Sequence, residues 1–180
     1  MFKLAKDIEI SLENAAHRFG IALHILVGLA MTESSGQWGL TRYEPAYRYL
    51  WDVRENKPFR KLTSAEAHSA TPPDDFPAPE NSTALEEWEN QRTSFGVLQV
   101  MGAVARELGY IGDLNDLRYH DGIIIGATHF KHLYERYFAD QGIEGAVEAY
   151  NRGRPDPDST TPYAHKVLSF ANQYRDHVRG

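Results

Sequence analysis

The stretch Ile21 to Gly36, IALHILVGLAMTESSG, decides the reading of this chain. Its first eleven residues are apolar apart from His24, on nearly every side of a helical turn. A helix of that kind is buried all round. It is too short to cross a bilayer, which takes ~20 apolar residues. The run stops abruptly at Glu33, Ser34, Ser35 and Gly36, which predicts a helix over 21–33. The Glu33 carboxyl is therefore expected at the edge of a core. Desolvation disfavours a charged carboxylate, and the negative end of a helix dipole acts in the same direction. A carboxyl that keeps its proton near neutral pH can serve as a general acid. The plainer alternative is a solvated or capping glutamate.

Outward from this segment the pattern is helical. Leu4, Ile8, Leu12 and Ala15 recur at helical spacing, with Lys6, Asp7, Glu9 and Glu13 between them, so residues 3–18 read as an amphipathic helix that Gly20 stops. Residues 98–108 read as a helix closed by Gly109. Asp121 to Tyr137 follows, its buried stripe carried by Ile123, Ile124, Ala127, Phe130, Leu133, Tyr134 and Tyr137. Glu144 to Asn151 and Tyr163 to Val178 complete the set. Between Lys61 and Arg92 stand seven acidic residues, no Lys or Arg, and four prolines (Pro72, Pro73, Pro77, Pro79). Proline removes backbone donors, so 68–83 reads as an exposed acidic loop, either a solvated excursion or a flap over a substrate. Ala84 to Arg92 is expected to be a short helix leading back to the core. The fold class is mainly α, one domain over 1–180, with at most a small β-hairpin inside 40–92.

Composition narrows the classes of function. The 180 residues suffice for one domain with a sizeable core. Absence of cysteine excludes disulfides and thiolate zinc sites. A net charge of −6 and a pI near 5.7 argue against nucleic-acid binding and against a polybasic membrane anchor. Residues 1–10 carry Lys3, Lys6, Asp7 and Glu9 and have no signal-peptide h-region. His129 and His132 lie three apart with His120 upstream, but no HExxH motif accompanies them, so they read as surface or packing histidines. Asp156-Pro157-Asp158 has half of a calcium-loop pattern without its Gly and terminal Glu, and reads as a turn. No metal and no cofactor is expected.

Three further segments bear on Glu33. They are Ser94-Phe95-Gly96-Val97-Leu98-Gln99-Val100-Met101, Glu148-Ala149-Tyr150-Asn151-Arg152-Gly153 and Pro162-Tyr163-Ala164-His165-Lys166-Val167-Leu168. After Glu33-Ser34, and in this order, they resemble the signatures of the soluble lytic transglycosylases of the lysozyme superfamily, most closely phage-encoded members. The family reads E-S, then G-L-M-Q with an apolar residue and Met, then A-Y-N-x-G, then a Tyr opening the last helix. Val97 and Leu98 depart from the pattern but keep apolar bulk, Arg152 stands where Ala is frequent, and the 40–92 segment is longer than in compact bacterial members.

The resemblance implies a lysozyme-like domain with a substrate cleft between helical lobes. It implies cleavage of the β-1,4 bond between N-acetylmuramic acid and N-acetylglucosamine in peptidoglycan strands, by a monomer acting at the cell wall. That protein would be held in a host cytoplasm until holin release, or carried in a phage particle. Glu33 is the implied acid and base. Tyr150 would orient it or stabilise positive charge at the anomeric carbon. Substrate contacts fall to Ser34, Ser94, Gly96, Gln99, Met101, Asn151 and Tyr163. For Gln99 the alternative is a capping amide. Met101 and Tyr163 have core packing as theirs, and Asn151 the ordering of a turn. A hydrolytic muramidase on the same fold is the first rival. It needs a second carboxylate, for which Glu44 is the main candidate and Asp52 a weaker one, unless Glu44 simply pairs with Arg42 or Arg48. A wall-binding or virion module without catalysis is the other rival.

Overall fold

The computed structural model describes residues 3–155 and 161–179, so the Asp156-Pro157-Asp158 turn lies outside the described residues. The chain is mainly α and divides into two units. One comprises residues Met1–Trp38 and Gly126–Gly180, and the other Gly39–Ile125.

The first unit is built from helices α1 (Lys6–Phe19), α2 (Leu23–Ser34), most of α6 (His120–Arg152) and α7 (Pro162–Arg179). Helix α1 ends where expected, at Gly20 with φ 63, and its amide reaches back to Ala16 O. Every residue of α2 from Ile25 to Ala30 is buried, as its apolar run predicts. Helix α7 lies against it closely enough to explain a glycine inside α2. A Cβ on Gly28 would stand 2.4 Å from Val167 O and 3.1 Å from Ala171 Cβ. Ile8, Leu12, Leu26, Leu29, Phe130 and Val167 are among the fully buried side chains of this unit. Helix α6 is interrupted at Gly142 (φ 66, ψ −167). That agrees with two expected helices meeting between Tyr137 and Glu144.

The second unit holds the remaining elements: β1 (Thr41–Tyr43), β2 (Trp51–Asp52), β3 (Lys57–Pro58), α3 (Ser64–Ala67), α4 (Ala84–Gln91), β4 (Thr93–Phe95), β5 (Val100–Met101), α5 (Gly102–Glu107) and a 3-10 turn (Leu114–Arg118). β2 and β3 form the small hairpin expected inside 40–92. The larger sheet was not foreseen. It is antiparallel in the order β1-β4-β5, with Thr41 opposite Phe95 and Ser94 opposite Met101. The helix expected over 98–108 is correspondingly shorter. Gly96 and Gln99 have φ of 69° and 47°, left-handed values that no helix accommodates. The segment therefore turns between β4 and β5, and helix begins only at Gly102.

The Pro-rich segment also departs from expectation. It is a loop, but not wholly exposed. Phe76 and Pro77 are buried. Phe76 packs edge-on against Trp88 and Phe59, at centroid distances of 5.1 and 5.2 Å, in a core that includes Leu50, Leu62, Ala67 and Ala103. The acidic residues do not repel this loop from the protein, because Arg60 gathers Asp75 and Glu66 (2.6 and 2.7 Å). The short helices on either side begin at capping boxes, Thr63 with Glu66 and Thr83 with Glu86, which satisfy the free amides of a first turn.

Two buried arginines complete this unit. Arg106 makes a two-pronged pair with Glu87, Nε to Oε1 at 2.8 Å and Nη2 to Oε2 at 2.9 Å, and Gln91 Nε2 donates to the same Glu87 Oε1 at 2.9 Å. Arg92 donates to the carbonyls of Ala67, Ser69 and Pro45 and stacks on Trp88, 4.7 Å from the ring centroid. Its charge is thus met by backbone dipoles and a π face, and one side chain ties three separated stretches of chain together.

Candidate active site

Glu33 lies in the last turn of α2 and is half-buried. The helix end is capped by its neighbours. Ser35 takes a left-handed conformation (φ 56), and the amides of Ser35 and Gly36 both reach Ala30 O. The buried Ser34 hydroxyl donates to that carbonyl at 3.0 Å and accepts from the Gln37 amide at 3.3 Å. Ser34, carried over as a substrate contact, is here part of the cap. Ser34, Ser35 and Gly36 thus cap the end of α2 beside Glu33.

One direct partner is Tyr163, whose hydroxyl donates to Glu33 Oε1. Tyr163 is the second residue of α7, and its place is set by the way that helix starts. The Thr161 hydroxyl accepts the Ala164 amide at 3.3 Å, a side-chain N-cap. Pro162 occupies the first helical position, where its missing N–H costs nothing. The Thr161 amide in turn donates to the carboxylate of Glu148, a buried residue of α6. Burial and the Glu33 carboxylate hold the Tyr163 hydroxyl far above the ordinary phenol range, so it remains a proton donor.

Tyr150, two residues after Glu148, is half-buried against the rings of His129 and Phe130, with centroids at 5.4 and 6.2 Å. Burial and the charge of Glu33 raise its hydroxyl well above the usual value, so the ring stands within electrostatic reach of the carboxylate. Burial and neighbouring His132 lower His129 to about 4, so that ring is neutral at pH 7. Three of the four motif segments thus meet in one unit. The Tyr163 hydroxyl is hydrogen-bonded to the Glu33 carboxylate, and Tyr150, expected to orient Glu33, lies within reach of the same charge. Asn151 is exposed at the end of α6. The turn after it is closed by Gly153 (φ 76), whose amide donates to Ala149 O at 2.7 Å.

The fourth segment lies in the second unit and has its own internal logic. Ser94 Oγ donates to Gln99 Oε1 at 2.9 Å. Gln99 Nε2 donates to Gly96 O at 2.8 Å and to Leu40 O at 3.3 Å. The amide of Gln99 therefore closes the β4–β5 turn on Gly96 and ties that turn to Leu40, the residue before β1. Gly96 lacks a Cβ for a reason inside the protein: one would stand 2.4 Å from Leu117 O. Met101 is half-buried, the residue before α5, paired with Ser94 across the sheet.

The carboxylates considered as second catalytic groups are also engaged in this unit. Glu44 Oε1 accepts from Arg42 Nε at 2.5 Å, the ion pair foreseen as its structural alternative. Asp52 is buried and accepts the amides of Arg54 and Glu55 at 3.0 and 3.2 Å, shaping the β2–β3 turn. A polar pocket in the same unit, lined by Asn81, Ser82, Glu86, Asn90, Asp113 and Asn115 among others, includes none of the motif residues. Among the described residues no group of three or more His, Cys, Asp or Glu side chains is placed to hold a metal ion. No helix there is long and apolar enough to cross a membrane.

Glu148 is the residue that sequence reading passed over. Its signal was present: a lone carboxylate in the apolar run Gly145-Ala146-Val147-Glu148-Ala149, the same pattern that singled out Glu33. Comparison with protein-family models, curated proteins and solved structures yields no match.

Proposed function

We propose that the chain is a peptidoglycan lytic transglycosylase with Glu33 as its acid and base; the lysozyme-like fold implied by the motif order is part of this reading. The observation that carries it is the hydrogen bond from Tyr163 to Glu33, made between motif segments 130 positions apart, with Tyr150 within reach of the same charge. A carboxyl group held by a tyrosine that cannot readily ionise is suited to moving a proton twice. In this reading the Tyr163 hydroxyl orients the carboxyl through Oε1 while Glu33 carries the proton in its acid form.

The proposed reaction uses that arrangement. Glu33 gives its proton to the glycosidic oxygen as the bond from that oxygen to the muramic anomeric carbon breaks. The glucosamine leaves with a free hydroxyl. The C6 hydroxyl of the muramic sugar then attacks its own anomeric carbon, and its proton passes to the Glu33 carboxylate. One bond is broken and one formed, water is not consumed, and Glu33 regains its proton. The positive charge that develops at the anomeric carbon is met by the Glu33 carboxylate, with the Tyr150 hydroxyl as a second oxygen. Glu44 and Asp52, the candidates a hydrolytic reading needs, are held by Arg42 and by turn amides, which favours the transglycosylase over the hydrolase.

The test is a digest of purified peptidoglycan analysed by mass spectrometry. The expected products end in 1,6-anhydromuramic acid and lack the mass of one water. Glu33→Gln is expected to lower their formation by at least ~10²–10⁴-fold, the scale of general acid catalysis, with the fold unchanged by circular dichroism. Reducing muramic ends that disappear in Glu44→Gln would make the protein a hydrolase. Binding to the wall with no cleavage would make it a module without catalysis.

A further inference from the structure

We infer that Glu148 is a positioning residue for the Glu33 site: its buried carboxylate holds the first turn of α7 and thereby sets where the Tyr163 hydroxyl meets Glu33. This deepens the function proposed above and rests on it for its catalytic consequence, though not for its geometry.

The inference follows the connections through the structure. Glu148 is 2% exposed, in a helical stretch where Ala146, Val147 and Ala149 are fully buried. A carboxylate costs free energy in such surroundings unless donors meet it. One donor is the Thr161 amide, from the residue that caps α7. The free amides at the start of that 18-residue helix carry a partial positive charge, which favours an anion there. Two residues beyond Thr161 stands Tyr163, whose hydroxyl bonds Glu33. Two residues beyond Glu148 stands Tyr150, on the same helix as Glu148. The bond from Glu148 to Thr161 therefore links the helices that carry the two tyrosines, one residue pair away from both. In the first turn of α7 the residues between Thr161 and Tyr163 reduce to Pro162, whose ring fixes φ. Little slack remains between the anchored amide and the Tyr163 hydroxyl.

Glu148 takes no part at the reacting bond in this scheme. Its contribution is to deny Tyr163 the small displacements that would break its contact with Glu33. An apolar residue at 148 would leave the Thr161 amide without its acceptor, and the start of α7 would be free to shift.

The test combines tyrosine titration with kinetics on Glu148→Ala and Glu148→Gln. Phenolate formation is followed by near-ultraviolet absorbance as the pH is raised. In the wild type Tyr163 is expected to remain protonated until the fold is lost. Glu148→Ala should release one additional tyrosine that titrates earlier, and adding Tyr163→Phe should remove that signal. The kcat on peptidoglycan should fall roughly tenfold to a hundredfold, the scale of a small misplacement of reacting groups, with KM unchanged. Glu148→Gln keeps an oxygen acceptor and should restore both readings. Should Glu148→Ala not fold, Glu148→Leu fills the space without an acceptor and takes its place. The inference is overturned if no additional tyrosine titrates, or if an active enzyme releases it without losing turnover. A wild type that does not cleave peptidoglycan at all, yet shows the titration change, would sink the proposed function and leave the positioning role standing.

Discussion

Tyr163→Phe removes one oxygen and tests the central contact of the site. The hydroxyl donates to a carboxylate that is half-buried, and hydrogen bonds to charged groups contribute about 1.5–3 kcal/mol. If that contact is maintained in the transition state to hold Glu33 in place, losing it should slow turnover by roughly tenfold to 150-fold at 1.36 kcal/mol per decade. Stability should change less, because Glu33 is exposed enough for water to replace the lost donor, and the phenyl ring keeps the packing of Tyr163. The assay is kcat and KM on purified peptidoglycan, with wall binding measured separately by pelleting. Tyr150→Phe, measured beside it, should also lower turnover more than binding. The decisive arm is the double variant. In a Glu33→Gln background Tyr163→Phe should cost little more, because two groups acting as a unit are not additive. A full, independent loss from Tyr163→Phe in that background would show that the hydroxyl acts elsewhere. Wild-type kcat in the single variant would refute the role outright.

His129 should make stability fall with acid. Its pKa is lowered from 6.5 to about 4 by burial and by His132, so the unfolded chain binds a proton that the folded one refuses. Stability from this group is complete above pH 6.5 and is lost as pH falls through about 4, a loss of about 3 kcal/mol by pH 4 from linkage. Urea unfolding at pH 7, 5.5 and 4 should show a steeper decline for the wild type than for His129→Phe, and equal slopes would contradict the burial argument. Arg106→Met should destabilise the protein by about 3–5 kcal/mol, because it strands the Glu87 carboxylate in the core. Arg106→Met with Glu87→Leu should recover most of that loss in the same denaturation experiment, and a double variant no more stable than the single one would contradict it.

The helices were readable because each is specified locally. Gly20 stops α1, Gly142 breaks α6, and the apolar run of α2 is buried from Ile25 to Ala30. The second unit was harder to read, because its order depends on contacts between distant residues. Nothing near Phe76 says that Trp88 and Phe59 will receive it, so prolines and carboxylates suggested an exposed loop. Arg92 reads in the sequence only as the end of a short helix, yet it is held by carbonyls 23 to 47 positions away. The β4–β5 turn was mistaken for helix because Val97, Leu98 and Val100 to Val104 suit either structure. The left-handed Gln99 that separates them is visible only as a backbone angle.

The candidate site shows the same division between residue type and residue role. Glu33 and Glu148 give the same local signal, one carboxylate in an apolar helical stretch, and the physics of desolvation applies to both. What separates them is the donor each meets. Glu148 receives a backbone amide at a helix start, a donor that cannot leave and that fixes the carboxylate as structure. Glu33 receives a phenol at a helix end already capped by Ser34, Ser35 and Gly36. Gln99 makes the complementary case: its amide looked available for ligand, but Gly96, Leu40 and Ser94 engage both of its ends. A side chain's chemistry can be read from its letter. Whether that chemistry is spent inside the fold or left for a substrate depends on partners that here lie up to 130 positions away.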